Sequence, residues 1–148
     1  MCDFVLHPRL VRDTSAVGRF PLSYLLLMED ANYPWCILVP ARAGIQEIFQ
    51  LEAEDQKQLI WESSLLGEAM MRLFQGDKLN IAALGNVVSQ LHLHHVVRYR
   101  QDEAWPDPIW GRAVSACYQE EERLHRISQL QSALLDRTST FSSDVGGI

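Results

Sequence analysis

Two nearly continuous apolar runs joined by a short polar turn constrain the fold of this chain more than any other feature. The first run is LSYLLLM at residues 22–28 and the second is WCILV at residues 35–39, with EDANYP between them. Strands joined by a short turn of this kind pair as an antiparallel hairpin. Because the runs do not alternate with polar residues, we expect both faces of the hairpin to be buried.

The apolar period changes to that of a helix after Ile45. The spacing predicts a long helix, interrupted near Ala53 and capped at its C-terminal end by Gly76. Two further strands are predicted, LNIAAL at residues 79–84 and a longer one at residues 87–98. Separate groups of strands and helices predict an α+β domain whose mostly antiparallel sheet carries the long helix.

The two ends of the chain have weaker patterns. Residues 3–13 are a short amphipathic segment in which His7 and Pro8 fit a helix start or a turn, whereas residues 101–111 contain two prolines and cannot be regular. A helix is predicted over residues 112–135, with Val114, Cys117 and Leu124 among its apolar residues. The Ser/Thr/Gly-rich tail at 136–148 is expected to fray.

Composition is that of one intracellular domain spanning residues 1–148, of which 47% are apolar. The formal net charge of −6 disfavours a nucleic-acid or anionic-membrane surface. Three cysteines without C-x-x-C spacing indicate neither a disulfide framework nor a zinc knuckle. No apolar stretch has the length of a membrane span and no signal peptide is evident, so we expect a cytoplasmic location.

Three of the five histidines lie within residues 92–95. Alternate side chains of a strand share a face, so Gln90, His92 and His94 are expected to point one way and His95 the other. His95 is expected at a strand end or sheet edge and not in a catalytic role.

Two histidines and a glutamine on one strand face fit three kinds of site. A metal site would take ligands from His92 and His94, but further ligands with recognisable spacing are lacking, and we expect no metal. In the second, a neutral imidazole acts as a nucleophile at phosphorus, and its neighbour binds phosphoryl oxygens or protonates the leaving group. The third is a polar strand face that is merely solvated. This interpretation is the weaker one, because two histidines lie beside a glutamine on one face of an apolar strand.

The segment GNVVSQLHLHHVVR at residues 85–98 resembles the signature of the histidine triad (HIT) family, in which three histidines alternate with apolar residues. The strand ILVP, which ends at Pro40 before a helix, also resembles the family pattern. WPDP at residues 105–108 is similar to a Trp-Pro-Pro segment of the family's phosphoramidase branch. The resemblance covers about residues 20–111, and it implies the HIT fold with a C-terminal helical extension.

The chain departs from the triad at one or more positions. With His92 aligned as the central histidine, Gln90 replaces the first and His94 is the third, as in a HIT-like subgroup with Gln-x-His-x-His. In the alternative alignment His92 is first, His94 is second and Val96 stands third. A further histidine of the family, expected after the ILVP strand, is missing from ARAG at residues 41–44.

The resemblance implies a reaction at the α-phosphate of a nucleotide. His92 would attack phosphorus to form a nucleotidyl-histidine, and His94 would bind the phosphoryl oxygens or assist the leaving group. Gln90 would orient His92 or the phosphate, while Asn80 and Asn86 would bind the nucleotide. The reaction needs no metal and no cofactor.

For several other residues a structural role competes with a functional one. Asp30 fits either the ribose hydroxyls or a hairpin turn. Trp105 and Trp110 fit a lid over the base, a dimer interface or packing against the C-terminal helix. Arg98 fits a phosphate contact or a solvated strand end, of which the strand end is expected. Trp35 and Trp61 are expected in the core, and Cys36 in a buried strand.

Two functions remain open at this point. The first is a hydrolase or nucleotidyl transferase acting on a dinucleoside polyphosphate, such as diadenosine tetraphosphate, or on a nucleoside phosphoramidate. The second is a nucleotide-binding or sensing protein with little or no turnover, which the glutamine in the first triad position favours. HIT proteins commonly pair, so a homodimer is expected, with neither a nucleic-acid polymer nor a membrane as partner.

Overall fold

The computed structural model describes residues 3–112 and 115–148, and within them it contains one five-stranded sheet and three α-helices. In chain order the elements are α1 (Pro8–Asp13), β1 (Thr14–Arg19), β2 (Ser23–Met28), β3 (Trp35–Pro40), a 3-10 turn (Ile48–Gln50), α2 (Ala53–Phe74), β4 (Lys78–Ala82), β5 (Leu93–Arg98) and α3 (Glu120–Arg137). None of these helices, as described, is long and apolar enough to cross a membrane.

The strands form one antiparallel sheet in the order β1-β2-β3-β5-β4. The predicted hairpin of β2 and β3 is present, with Leu26 opposite Ile37. Strand β5 lies between β3 and β4, so it is an inner strand with hydrogen-bonded neighbours on both sides. The α+β prediction with an antiparallel sheet is therefore confirmed.

Both faces of the sheet are buried, as the continuous apolar runs predicted. On one face, Leu27 and Leu38 join a core with Leu66 and Met70 of α2. On the opposite face, neighbouring strand residues pack against α1 in a second cluster, which contains Leu10, Leu26, Ile37 and Val88. Burial of each such side chain contributes roughly 1.5–3 kcal/mol, so both layers hold the sheet.

Helix α2 follows the predicted interruption near Ala53, but its C-terminal end differs from the prediction. Gln75, and not Gly76, adopts the left-handed conformation, with φ of 51°. Gly76 is needed for a close approach instead, since a Cβ there would lie 2.3 Å from Cγ1 of Val97. Trp61, which was predicted in the core, is 60% exposed on α2.

The C-terminal helix begins at Glu120, eight residues after the predicted start at Arg112. The chain before it runs beside the β2–β3 turn, where Ala31 donates its N–H to the carbonyl of Ala116 over 2.7 Å. Cys117 is exposed, outside any helix, and Val114 lies outside the described residues. Leu124 is exposed on α3, which buries Leu130 and Leu134.

The tail is held at one point instead of fraying throughout. Ser142 exchanges two backbone hydrogen bonds with Arg19, at 2.8 and 2.9 Å. Phe141 is buried against Phe20, with ring centroids 5.1 Å apart. It lies so close to Gly18 that a Cβ there would meet its ring at 2.4 Å, which is why β1 carries a glycine.

A buried carboxylate lies at the centre of α2. Glu62 is fully buried, and its Oε1 accepts the N–H of Leu22 at 2.7 Å and Nε2 of Gln58 at 3.3 Å. Its Oε2 is buried without a hydrogen-bond partner among the described residues. Burial raises the pKa of Glu62, because the charged form loses its hydration.

We therefore expect Glu62→Gln to stabilise the protein at pH 8. A carboxyl whose pKa is raised in the folded state favours folding at low pH, and this contribution is lost as pH rises from the unfolded pKa through the folded one. The variant has no such loss, so its melting temperature should exceed that of wild type by a few degrees at pH 8, since about 1 kcal/mol shifts Tm by roughly 2–4 °C in a domain near this size. Thermal unfolding at pH 8 and pH 4 tests this, and an advantage that grows towards pH 4 would contradict it.

Candidate active site

A pocket of about 330 Å³ opens on the α1 side of the sheet. Its floor is formed by β3 and β5, one wall by α1 and another by the loops after β4 and after β5. The residues that line it are Arg9, Leu10, Asp13, Met28, Trp35, Ile37, Leu84, Gly85, Asn86, Val87, Val88, His92, His94, Trp110 and Gly111. The walls are mostly apolar with a few polar groups, as is usual for small-molecule sites.

His92 and His94 lie side by side in this pocket, as the strand alternation predicted. Their ring centroids are 4.9 Å apart, and the side chains are 7% and 6% exposed. His94 belongs to β5, whereas His92 directly precedes the strand, which is shorter than the predicted run over 87–98. The two imidazoles therefore share one face although only one lies in the ladder.

A backbone carbonyl fixes the tautomer of His92. Its Nδ1 lies 2.7 Å from the carbonyl oxygen of Gln90, which can only accept a hydrogen bond. Nδ1 must therefore carry the proton, and Nε2 at the other end of the ring holds the lone pair. A neutral imidazole in this tautomer presents a nucleophilic nitrogen.

An indole holds the ring of His94. Trp35 of β3 donates its Nε1–H to Nδ1 of His94 at 2.9 Å, and Trp110 lies with its ring centroid 5.5 Å from that of His94. Burial, followed by the neighbouring His92 and His95, lowers the pKa of His94 to about 3. His94 is therefore a neutral group in the pocket at physiological pH.

His95 points to the opposite face of the sheet, as predicted, but not at a strand end or edge. It is fully buried on the inner strand, where Ser63 of α2 lies 2.7 Å from its Nε2. Its Nδ1 lies 3.1 Å from the carbonyl of Leu93, so Nδ1 is the protonated nitrogen and Nε2 accepts from the serine hydroxyl. Burial lowers the pKa of His95 to about 4, and the hydrogen bond to Leu93 opposes part of that shift.

Gln90 connects the site to the N-terminal segment. Its Oε1 accepts the N–H of His7 at 2.9 Å, and its Nε2 donates to the carbonyl of Val5 at 2.9 Å. The side chain is thereby bound to main-chain atoms of the segment that leads into α1, while its own carbonyl orients His92. Gln90 thus links a wall of the pocket to the candidate nucleophile.

The predicted nucleotide-binding residues are divided between the pocket and its surroundings. Asn86 lines the pocket in the loop after β4. Asn80 does not line it, and its Oδ1 accepts Nη1 of Arg98 at 2.8 Å. Asp30 lies in the β2–β3 turn, where its Oδ1 accepts the N–H of Asn32 at 3.0 Å. The guanidinium carbon of Arg98 lies over the ring of Trp105, 5.8 Å from the centroid of that ring.

Arg98 is not at a solvated strand end, which corrects the prediction. It is 1% exposed and binds both carboxylate oxygens of Asp102, at 2.9 and 2.8 Å. Asp102 also accepts the N–H groups of Tyr99, Ala104 and Trp105. This bidentate pair fixes the start of the loop that carries Trp110 into the pocket.

Sequence reasoning did not assign Arg9, Asp13 or Trp35 to the pocket, whereas Trp110, one of the two tryptophans considered as a lid, does line it. Trp35 was assigned only to the core, because the sequence does not reveal that β3 is the neighbour of β5. Once that pairing is known, the register with Ile37 opposite His94 puts Trp35 on the same face, one diagonal step away. No group of three or more His, Cys, Asp or Glu side chains within the described ranges is arranged to hold a metal ion.

An inner strand that carries paired histidines into a pocket, on an antiparallel sheet with a long helix behind it, defines a domain of the histidine triad class. The model of the HIT domain matches residues 9–101, and the chain belongs to the HIT family. The comparison with curated protein sequences found no match.

Solved structures of histidine triad proteins are similar over nearly the whole chain. One from Marinobacter aquaeolei is 50% identical, covers 93% of this chain and 100% of its own, and has a TM-score of 0.89. One from Bradyrhizobium japonicum is 43% identical with coverages of 90% and 99% and a TM-score of 0.87. One from Sinorhizobium meliloti is 38% identical with coverages of 88% and 96% and a TM-score of 0.86. Membership in this family supports a nucleotide-binding or hydrolase/transferase role.

We expect Gln90→Ala to loosen the N-terminal wall of the pocket. The substitution removes both hydrogen bonds to the segment, a loss of about 1–3 kcal/mol by the usual cost of unpaired groups. Hydrogen exchange at the amides of residues 5–11 should accelerate, while exchange in α2 should change much less. Gln131→Ala serves as a matched control, because that side chain also donates to a distant backbone carbonyl, that of Val17, but on the other side of the molecule. Equal acceleration in both variants would contradict the assignment.

Proposed function

We propose that the protein is a nucleotide hydrolase or nucleotidyl transferase, acting at the α-phosphate of a dinucleoside polyphosphate or a nucleoside phosphoramidate. The observation that carries this proposal is the 2.7 Å hydrogen bond between Nδ1 of His92 and the carbonyl of Gln90. It leaves the Nε2 lone pair available for attack, next to a second imidazole and inside a pocket of about 330 Å³. Such a nitrogen is a good nucleophile at phosphorus near neutral pH.

The proposed reaction has two steps. Nε2 of His92 attacks the α-phosphorus, the bond to the leaving group breaks, and a nucleotidyl-histidine forms. The carbonyl of Gln90 stabilises the positive charge that develops on the imidazole, through the hydrogen bond to Nδ1. Water, or another acceptor in a transferase, then attacks phosphorus and the electron pair of the P–N bond returns to His92.

The pocket wall supports a nucleotide as the ligand. Its volume of about 330 Å³ lies at the lower end of the range for small-molecule sites. Leu10, Met28, Ile37 and Val88 offer an apolar surface for a base, and Arg9 brings a positive charge to the rim. Asn86 is a candidate hydrogen-bond partner for the phosphate or ribose, and His94 for a phosphoryl oxygen.

We expect His92→Ala to abolish release of nucleoside monophosphate, by at least about 10⁴-fold in kcat, since the nucleophile is removed. His125→Ala is the matched control, because this histidine is exposed on α3 and does not line the pocket. A panel of adenylyl and guanylyl polyphosphates and phosphoramidates, followed by chromatography, measures the product. Wild-type protein quenched in alkaline denaturant, which preserves the P–N bond, should also carry a nucleotide adduct that is missing from His92→Ala.

The main competing function is nucleotide binding without turnover. It is favoured by Gln90, whose side chain is occupied by backbone groups of Val5 and His7 and cannot carry a proton. Calorimetry that detects micromolar binding, with no product after long incubation, would support this function and contradict the hydrolase. Wild-type turnover in the His92→Ala variant would contradict the assignment of the nucleophile.

We also propose that the chain forms a homodimer through the outer edge of β4. This strand is at the end of the sheet and pairs only with β5 among the described residues, so its outer backbone groups are open to another strand. Ile81 on β4 and Trp61 on α2 are 49% and 60% exposed, which supports a partner surface.

Light scattering tests the dimer. Wild type should have a mass near twice 16.9 kDa, and Ile81→Glu should shift the protein towards the mass of one chain. Leu124→Glu, at an exposed leucine of α3, should leave the mass unchanged. A wild-type mass of one chain at high concentration would contradict the proposal.

A further inference from the structure

We propose that Trp35 holds His94 as a neutral hydrogen-bond donor, so that the site cleaves nucleotides whose leaving group departs as an anion in preference to those that must release an amine. The inference rests on the proposed function and narrows its two substrate classes to one, the phosphoanhydrides. Its basis is the geometry around the ring of His94.

The contact with Trp35 fixes the tautomer of His94. The indole Nε1 of Trp35 can only donate, so Nδ1 of His94, 2.9 Å away, must accept. A neutral imidazole has one N–H, which is then at Nε2. Both residues are buried on neighbouring inner strands, with ring centroids 5.6 Å apart, and the β3–β5 ladder holds them in this relation. Nε2–H of His94 is therefore a fixed donor, suited to a phosphoryl oxygen.

The ring of His94 in this tautomer is a poor general acid. An imidazole that protonates a leaving group starts as a cation with a proton on each nitrogen. In His94 the second proton would point at the N–H of Trp35, so two donors would face each other in a buried contact. Loss of the Nε2 proton from the neutral ring would instead produce an imidazolate. Burial and the neighbouring His92 and His95 disfavour the cation independently of Trp35, and they lower the pKa of His94 to about 3.

The other groups near His94 are also poor sources of a proton for the leaving group. The titratable and charged groups near His94 are His92, which is the proposed nucleophile, Arg9 and Asp13 across the pocket on α1, and His95 behind the sheet. The hydrogen bond from Arg12, together with Arg9, keeps the pKa of Asp13 below its ordinary value, so this carboxyl is ionised. The buried His95 is neutral. No group that lines the pocket in the described ranges is therefore a ready acid near neutral pH.

The two substrate classes differ in their need for that acid. In an anhydride, Nε2 of His92 bonds to phosphorus, the P–O bond breaks, and its electron pair leaves on a phosphate oxygen as a stable anion. In a phosphoramidate the P–N pair would leave on a strongly basic nitrogen, which must first gain a proton. In both cases water then forms a P–O bond, the His92–phosphorus pair returns to Nε2, and the water proton goes to solvent.

The experiment compares two adenylyl substrates, diadenosine tetraphosphate and adenosine 5′-phosphoramidate, with their guanosine counterparts as a second pair. We expect wild-type kcat/KM to favour the anhydride by about 10²-fold or more, the lower end of what general acid catalysis contributes. Trp35→Phe keeps an aromatic ring but removes the N–H, which frees Nδ1 of His94 to take a proton. Because burial also lowers the pKa of His94, the preference should narrow gradually, by about tenfold as pH falls from 7.5 to 5, through a rise in turnover of the phosphoramidate.

Trp110→Phe is the matched control, because Trp110 is the other indole against His94 and is not its hydrogen-bond donor. Its absolute rates are free to change, but its preference between the two substrates and the pH dependence of that preference should remain those of wild type. An equal change in both variants would overturn the role of the Trp35 N–H.

A second readout does not depend on turnover or on the stability of a variant. In wild-type protein with ¹⁵N-labelled histidine, long-range ¹H–¹⁵N spectra should show His94 protonated at Nε2 only, from pH 7.5 to pH 5. Protonation of Nδ1 in that range, or equal efficiency on anhydride and phosphoramidate, would overturn the inference. Absence of turnover on all substrates, with the expected tautomer, would overturn the proposed function and the substrate preference together, but not the Trp35–His94 contact.

Discussion

The inner position of strand β5 is the constraint on which the site depends. Hydrogen bonds to β3 on one side and β4 on the other leave the strand no freedom to rotate, so successive side chains are committed to opposite faces. His94 is directed into the pocket and His95 towards α2. Two adjacent residues of the same type thereby have unrelated surroundings, one beside indoles and one beside a serine.

The polar side chains of this strand, and His92 directly before it, each have a partner of fixed direction. A carbonyl orients His92, an indole N–H orients His94 and a serine hydroxyl contacts His95. At the end of β5 the ion pair of Arg98 and Asp102 is buried, with several backbone N–H groups on the carboxylate. Such networks are costly when one member is removed, so the pocket is built from groups that can hardly move independently.

Local patterns in the sequence predicted much of the fold, whereas side-chain surroundings depended on pairings between distant segments. The β2–β3 hairpin follows from two continuous apolar runs, α2 from helical spacing, and the shared face of His92 and His94 from strand alternation. β1, with its mixed sequence, was not predicted, and the burial of Arg98 depends on Asp102 in the following loop. The large apolar side chain of Trp61 favoured a core position from the local sequence, but its face of α2 does not pack on the sheet. Trp35 could be connected with His94 only after the strand order was known.

The contact between Gln90 and the N-terminal segment has a consequence for how such a pocket can change. Because Gln90 binds main-chain atoms of Val5 and His7, the attachment of this wall does not depend on which side chains the segment carries. Arg9 and Asp13, which present their side chains to the ligand space, lie beyond the attached backbone. The attachment of this wall thus depends on main-chain atoms, whereas the ligand preference of the pocket depends on side chains. Substitutions on α1 can alter which ligand the pocket accepts while the alignment of His92 is retained.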